Sequence, residues 1–200
     1  MEKIVLFIIL LINFNCVIAA NADSIIKVIH RHDATDVYAL NNENKDVLIS
    51  HYDKILNTAA NDVMSCASLG YGIENNIVYV IYTDACKSTD NIVQSTVYFD
   101  RENSVLSRAF TAVTLTDFHK KIVVLYDPAA KIFTFTPMFE PCKNPFQIHL
   151  DANKYGANLG SSFLPLPNRD VYIKYTDSKG KDHTKTIHMD YPKLFADCKG

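Results

Sequence analysis

The segment His30-Arg31-His32-Asp33 carries three kinds of titratable side chain and directly follows a predicted strand over residues 24–29. If that strand continues, His30 and His32 point to the same face, where they could ligate a metal ion together with a carboxylate. No third ligand is identifiable from the spacing of the other His, Asp and Glu residues, and we therefore predict no metal site. The segment remains a candidate for binding.

The cysteines are the second group of residues whose type predicts chemistry. Cys66, Cys86, Cys142 and Cys198 follow the signal sequence, and an even number in an exported chain indicates two disulfides. Of the three possible connectivities we predict Cys66–Cys86 and Cys142–Cys198. The first would join the end of a predicted helix over residues 46–64 to the segment after a predicted central strand over residues 76–83. The second would join a proline-rich segment over residues 137–167 to a short predicted helix at the C-terminus. The cysteine spacing does not indicate zinc.

The N-terminal residues predict export. A basic residue precedes an unbroken apolar run over residues 4–12, and small residues follow at a spacing that suits cleavage. The run is too short for a comfortable membrane span. We predict a signal peptide over residues 1–22, cleaved between Ala19 and Asp23, and a single secreted domain over residues 23–200.

The composition excludes some classes of partner. The net charge is −2 and the basic residues are scattered, so the sequence shows no electrostatic footprint for nucleic acid. No segment after the signal peptide is long and apolar enough to span a membrane. We therefore expect an extracellular or host protein as the partner, with no nucleic acid and no membrane span.

Two long segments organise the predicted fold. Residues 76–83, with six consecutive apolar or aromatic positions, predict the central strand of a sheet. Residues 46–64 place apolar side chains at helical spacing, which predicts one long helix with a single apolar stripe. The stripe comprises Leu48, Tyr52, Ile55, Leu56, Ala59 and Val63.

The rest of the chain predicts antiparallel hairpins. Residues 122–126 and 132–136 flank an Asp-Pro turn, and residues 171–176 and 183–189 form a second pair. Between the hairpins, residues 137–167 hold five of the seven prolines and predict a long surface excursion. The order predicts an α+β fold, in which a mostly antiparallel sheet carries one long helix and a short C-terminal helix ends the chain.

Short segments spread along the chain match the pattern of one enzyme family. They are, in chain order, Arg31-His32-Asp33, Val37-Tyr38, Asn41-Asn42-Glu43-Asn44 with His51, Val78-Tyr79-Val80-Ile81, Asp117-Phe118-His119-Lys120 with Val123-Val124-Leu125-Tyr126-Asp127, and Phe163-Leu164-Pro165-Leu166-Pro167. In these segments the chain resembles the ADP-ribosylating toxins of the pertussis and cholera type, which begin with a strand that ends in Arg-x-Asp.

The resemblance implies a ligand and residue roles. NAD would be the cofactor, its pyrophosphate bound by Arg31, and Asp33 would hold the turn or the guanidinium. The Ser-Thr-Ser and Glu-x-Glu motifs of the family are incomplete here, and Glu102 is the candidate for the catalytic glutamate. The resemblance therefore implies a mono-ADP-ribosyltransferase fold that binds the dinucleotide without turnover.

Three functions remain open at this point. The first is a secreted, disulfide-stabilised binding or effector protein that acts extracellularly, and it is the one we favour. The second is the toxin-like ADP-ribosyltransferase fold, with incomplete catalytic motifs. The third is a small-ligand carrier built on an antiparallel sheet, for which a closed barrel with an apolar interior would be the sign.

Overall fold

A computed structural model describes residues 24–54, 56, 67–84, 93–149, 152–154, 170–177, 179–188 and 195–198. The chain divides into two compact units between Leu106 and Ser107. The described part of each unit consists almost entirely of antiparallel strands. The predicted signal peptide, its cleavage site, Cys66 and Cys86 lie outside the described residues.

The first unit contains two antiparallel sheets, one of β1–β2–β3 and one with the strand order β4–β5–β6–β7. The strands are β1 Ile26–His30, β2 Thr35–Leu40, β3 Asp46–Tyr52, β4 Ala67–Glu74, β5 Ile77–Asp84, β6 Val93–Asp100 and β7 Val105–Leu106. One buried cluster takes side chains from both sheets, including Val37 of β2, Val80 of β5 and Phe99 of β6. The unit is therefore a β-sandwich with a shared core.

The predicted central strand is confirmed. β5 lies between β4 and β6 and pairs with both along its whole length. Ile77, Val78 and Val80 are buried, and Ile81 is partly buried. A strand paired on both sides and covered on both faces needs such a continuous apolar sequence.

The predicted α+β fold is wrong, because the described residues include no long helix and residues 46–52 form β3. The cause is a β-bulge. Val37 of β2 faces Ser50 while Tyr38 faces Leu48, so that Ile49 is an extra residue on β3. The bulge breaks the two-residue alternation, and the apolar positions then imitate a helical period. Residues 57–64 of the predicted helix lie outside the described residues.

Alternation along β2 defines the two faces of the β1–β2–β3 sheet. Val37 and Ala39 point into the shared core, and Asp36 and Tyr38 point the other way. Leu48, which pairs with Tyr38, is 45% exposed. We call the side that bears Asp36, Tyr38 and Leu48 the outer face.

The second unit contains a sheet with the order β12–β11–β10–β9 and another with the order β13–β14–β15. The strands of these sheets are β9 Val113–Asp117, β10 Ile122–Asp127, β11 Ile132–Pro137, β12 Phe146–His149, β13 Ala152–Lys154, β14 Asp170–Asp177 and β15 Asp182–His188, and the short strand β8 Phe110–Thr111 belongs to neither sheet. The predicted β10–β11 and β14–β15 hairpins are confirmed. Stacked rings of Tyr126 and Phe133, with centroids 4.5 Å apart, join β10 to β11.

The predicted disulfide between Cys142 and Cys198 is confirmed, with an S–S distance of 2.00 Å. It ties the segment after β11 to the end of the chain, across a sequence separation of 56 residues. Of the predicted C-terminal helix, the structure describes a single 3₁₀ turn over Ala196–Cys198. The predicted start of that helix lies outside the described residues.

Candidate functional site

The segment singled out in the sequence is the turn between β1 and β2. Arg31 follows the last residue of β1, and its backbone N–H donates to the carbonyl of Ala34 over 2.8 Å. The Nδ1 atom of His30 lies 3.2 Å from the Thr35 hydroxyl, while His32 and Asp33 are exposed. This short turn reverses the direction of the chain between β1 and β2 and places Arg31 beside the start of β2.

Asp36 is the centre of a cluster of charges on the outer face. Its side chain is only 5% exposed, and each of its oxygens has a cationic partner. Arg31 donates its Nε–H to Oδ2 over 2.7 Å, and Nδ1 of His51 lies 2.6 Å from Oδ1. A buried carboxylate requires such compensation, because its ionised form is costly to remove from water.

Strand register explains why these residues meet. Asp36 on β2 lies directly opposite His51 on β3, and side chains at directly paired positions touch across a sheet. Arg31 reaches the same carboxylate from the β1–β2 turn. The cluster thus draws on three consecutive segments of the β1–β2–β3 sheet.

His51 lies between two carboxylates. Its Nδ1 faces Asp36, and its Nε2 lies 3.0 Å from Oδ1 of Asp53, whose side chain is 96% exposed. Ionised carboxylates only accept hydrogen bonds, so both ring nitrogens must carry a proton for both bonds to form. The geometry therefore requires the imidazolium form of His51.

The pKa values of the cluster follow from the same contacts. Hydrogen bonding to Asp36, and then to Asp53, raises the pKa of His51 above its ordinary value of 6.5. The bond from His51 lowers the pKa of Asp36 below its ordinary 3.8, against the opposing effect of burial. The negative charge of Asp36, followed by the Tyr38 hydroxyl, raises the pKa of Arg31. Asp36 and Arg31 are therefore charged at neutral pH, and the same contacts favour the protonated form of His51.

A second polar cluster lies at the same end of the sandwich. The ammonium of Lys54 and the hydroxyl of Tyr82 both bond Oδ2 of Asp84, over 2.8 and 2.7 Å. The ring of Tyr82 stacks on that of Tyr52 at 4.8 Å between centroids. Thr35 donates to the carbonyl of Lys54 over 2.9 Å. Since these bonds tie β2 and the end of β3 to β5, we assign the cluster a structural role.

The structure does not bring the predicted nucleotide-binding and catalytic residues together. Arg31 lies beside the start of β2, whereas Glu102 is exposed in the turn after β6. That turn contacts the far end of β2, where Arg101 donates its Nε–H to the carbonyl of Leu40 over 2.6 Å. The length of β2, about 17 Å at 3.4 Å per residue, separates the two places.

The guanidinium of Arg31 pairs with Asp36, and Asp33 is exposed in the turn. Sequence reasoning missed Asp36 and Asp53 and used His51 only as part of a resemblance. The signal for Asp36 is a carboxylate inside a strand whose neighbours are buried. The partner of Asp36 is His51, which a β2–β3 hairpin places directly opposite it. The incorrect prediction of a helix over residues 46–64 excluded that hairpin.

The chain matches no protein-family model, and no curated protein is significantly similar to it. Among the residues described by the structure, no helix combines the length and the apolar character needed to cross a membrane. The resemblance to ADP-ribosylating toxins stays a prediction. Calorimetric titration of the wild type and Arg31→Ala with NAD, beside a glycohydrolase assay, tests it, and absence of binding in both proteins would remove it.

Proposed function

We propose that the protein is a secreted, disulfide-stabilised binding protein that acts on another protein outside the cell that makes it. The outer face of the β1–β2–β3 sheet is its binding surface. The observation that carries this proposal is the grouping on that face of exposed Leu48, partly buried Tyr38 and the Arg31–Asp36–His51 cluster.

The composition of this face fits a protein interface. Interfaces are enriched in Tyr and Arg, and their apolar centres are surrounded by polar groups. Tyr38 and Leu48 are paired neighbours on β2 and β3, and they supply the apolar centre. Arg31 on one side and the Lys27–Asp46 ion pair on the other supply the polar rim.

The sheets themselves favour protein binding over the carriage of a small ligand. Within the described residues of the first unit, the strands hydrogen-bond in two separate sheets, and Val37, Val80 and Phe99 fill the space between them. A carrier needs an enclosed apolar space for its ligand. The outer face offers instead the exposed side chain of Leu48 beside the partly buried Tyr38.

A photo-reactive amino acid at position 48 tests the proposal. Leu48 is replaced by a benzophenone-bearing residue, and the purified protein is exposed to extracellular fluid from the host and irradiated. The matched control carries the same residue at Lys45, whose side chain is 72% exposed in the β2–β3 turn. We expect one specific adduct from position 48 and none from position 45.

The same adduct from both positions, or from neither, would contradict the binding face. A further variant, Leu48→Asp, should abolish the adduct when the photo-reactive residue is moved to position 27 on the same face. N-terminal sequencing of exported protein tests the secretion itself, and a chain that still begins at Met1 would contradict it.

A further inference from the structure

We propose that Arg31 and His51, held side by side by Asp36, form a binding site for a carboxylate group. The carboxylate is an acidic side chain on the protein that the outer face binds, and the inference therefore rests on the proposed function. In the unbound protein Asp53 occupies the site.

The site is built rather than incidental. Asp36 is nearly fully buried and bonds one cation with each oxygen, so that Arg31 and His51 are both held against the same carboxylate. The side chains of Arg31 and His51 remain 60% and 50% exposed. A guanidinium has five N–H donors, and its Nε–H is the one that bonds Asp36, so donors remain on the exposed edge of the group.

The charge of the site selects an anion. Two cations against the single buried carboxylate of Asp36 leave one net positive charge. In this structure the carboxylate of Asp53 supplies the balancing negative charge through its bond to Nε2 of His51. The position therefore accepts a carboxylate oxygen, and a guanidinium beside it suits the same group.

Asp53 is a replaceable occupant. It lies two residues beyond His51, its side chain is almost fully exposed, and it contacts the ring through a single oxygen. Exposed ion pairs of this kind contribute little, because water solvates both partners in their absence. A partner's carboxylate that reaches both Nε2 of His51 and the guanidinium of Arg31 makes two charge-assisted bonds where Asp53 makes one.

Other charges on the same sheet leave the site available. Lys27 of β1 pairs with Asp46 of β3 across the outer face, at 3.8 Å. Lys54, just beyond Asp53, is directed to Asp84 on β5. Tyr38 beside Arg31 is a hydrogen-bonding neighbour of the guanidinium.

The site depends on pH through His51. Deprotonation of the ring removes the Nε2–H donor, because a neutral imidazole keeps a single N–H and the buried Asp36 retains it. Carboxylate binding should therefore weaken as the pH rises through the pKa of His51, which lies above 6.5 in the folded protein.

Sodium acetate is the probe that tests the site. The wild type and Asp53→Asn are titrated at pH 5.5, where His51 is protonated in both proteins, while NMR follows the Hε of Arg31 and the ring of His51. Sodium chloride holds the ionic strength constant. We expect saturable shifts at both residues, with affinity about threefold higher in Asp53→Asn because the internal competitor, which is an exposed ion pair, is gone.

The control variants separate the site from a general effect of salt. Asp53→Asn combined with Arg31→Ala or with His51→Ala should lose the saturable response, whereas Asp53→Asn combined with His119→Ala, at an exposed histidine of the second unit, should retain it. An equal response to chloride alone, no saturable shift in Asp53→Asn, or an unchanged response in the double variants would overturn the proposal.

The failure of this inference can be told apart from the failure of the proposed function. Loss of the acetate response with a persisting position-48 adduct would leave the binding face standing without the carboxylate site. An adduct that survives Arg31→Ala and His51→Ala together would also overturn the carboxylate site. Absence of any adduct would contradict the proposed function, whatever the acetate titration gives.

Discussion

The two ends of strand β2 are held by different chemistry. At its start, Asp36 is bonded by Arg31 and His51. At its end, Asn41 is buried, and its side-chain oxygen accepts from the backbone N–H groups of Glu43 and Lys45, each over 3.0 Å. The bonds around Asp36 involve a histidine, which titrates. These two bonds of Asn41 involve only amide and backbone groups, which do not titrate.

The amide end joins three turns of the first unit. Asn41 donates its Nδ2–H to the Ser104 hydroxyl over 3.1 Å, and Arg101 donates an Nη1–H to Oδ1 of Asn76 over 2.9 Å. Asn75 and Asn76 both have positive φ angles, of 48° and 62°. Two consecutive left-handed residues form the turn that matches the twist of a two-residue hairpin, and asparagine tolerates that backbone well.

The comparison shows that the hydrogen bonds at one end of β2 depend on pH and that those at the other end do not. Amides and backbone N–H groups do not titrate, so the bonds of Asn41 are independent of pH. The bond from Nε2 of His51 to Asp53 is lost as the pH rises through the raised pKa of the ring. We therefore expect the first unit to be fixed at one end and sensitive to pH at the other.

The largest effect is expected from Asn41→Ala. Two backbone donors and the Ser104 hydroxyl would lose their partner at a buried position, and we expect a loss of about 2–3 kcal/mol in the free energy of unfolding. Urea unfolding at pH 5.5 and pH 8.5 should give the same loss. The exposed amide of Gln147, changed to Ala, is the control with little effect. A loss that differs strongly between the two pH values would break the comparison.

A smaller effect, but one that depends on pH, is expected from His51→Gln. Because folding raises the pKa of His51, its contribution to stability is complete below about pH 6.5 and is lost as the pH rises through the folded pKa. Asp36, whose pKa is lowered, contributes above about pH 3.8 and loses that contribution as the pH falls through its folded pKa.

The measurement for His51→Gln is the melting temperature from pH 5 to pH 9. The wild type should lose stability on the alkaline side by an amount that the variant lacks. His119→Gln, at an exposed histidine, should keep the wild-type profile. Parallel profiles for the wild type and His51→Gln would show that the charged end does not titrate in this range.

The smallest effect is expected from Asp53→Asn. It removes the second of the two carboxylates that raise the pKa of His51, and it leaves the bond to Asp36. The alkaline loss of stability should therefore begin at a lower pH than in the wild type, with little change in stability at pH 5.5. A shift of the loss to a higher pH would contradict the assignment of Asp53.

Part of this fold was predictable from sequence. β5 and the β10–β11 hairpin have patterns that admit one interpretation, a continuous β-branched run and an alternating pair around Asp127. The side-chain oxygen of Asp127 accepts from the N–H groups of Ala129 and Ala130, as a turn-forming aspartate does. β3 was not predictable in this way, because the extra residue Ile49 displaces the alternation.

The candidate site was predictable only in its first residue. Arg31 could be placed after a strand from the sequence, but its partner Asp36 requires the β1–β2 turn, and His51 requires the register of β2 with β3. The register of β2 with β3 depends on the bulge at Ile49, which no local sequence pattern predicts. Non-local pairing, rather than residue type, is what sequence reasoning lacked here.

The protonation state of His51 tests the central claim most directly, since both the pH-sensitive end and the carboxylate site depend on it. ¹⁵N NMR of the wild type at pH 6.5 reads the number of protons on the ring. The account predicts that most molecules carry protons on both Nδ1 and Nε2, with a pKa above 6.5 that falls in Asp36→Asn. A ring that carries a single proton in most molecules at pH 6.5 would contradict it.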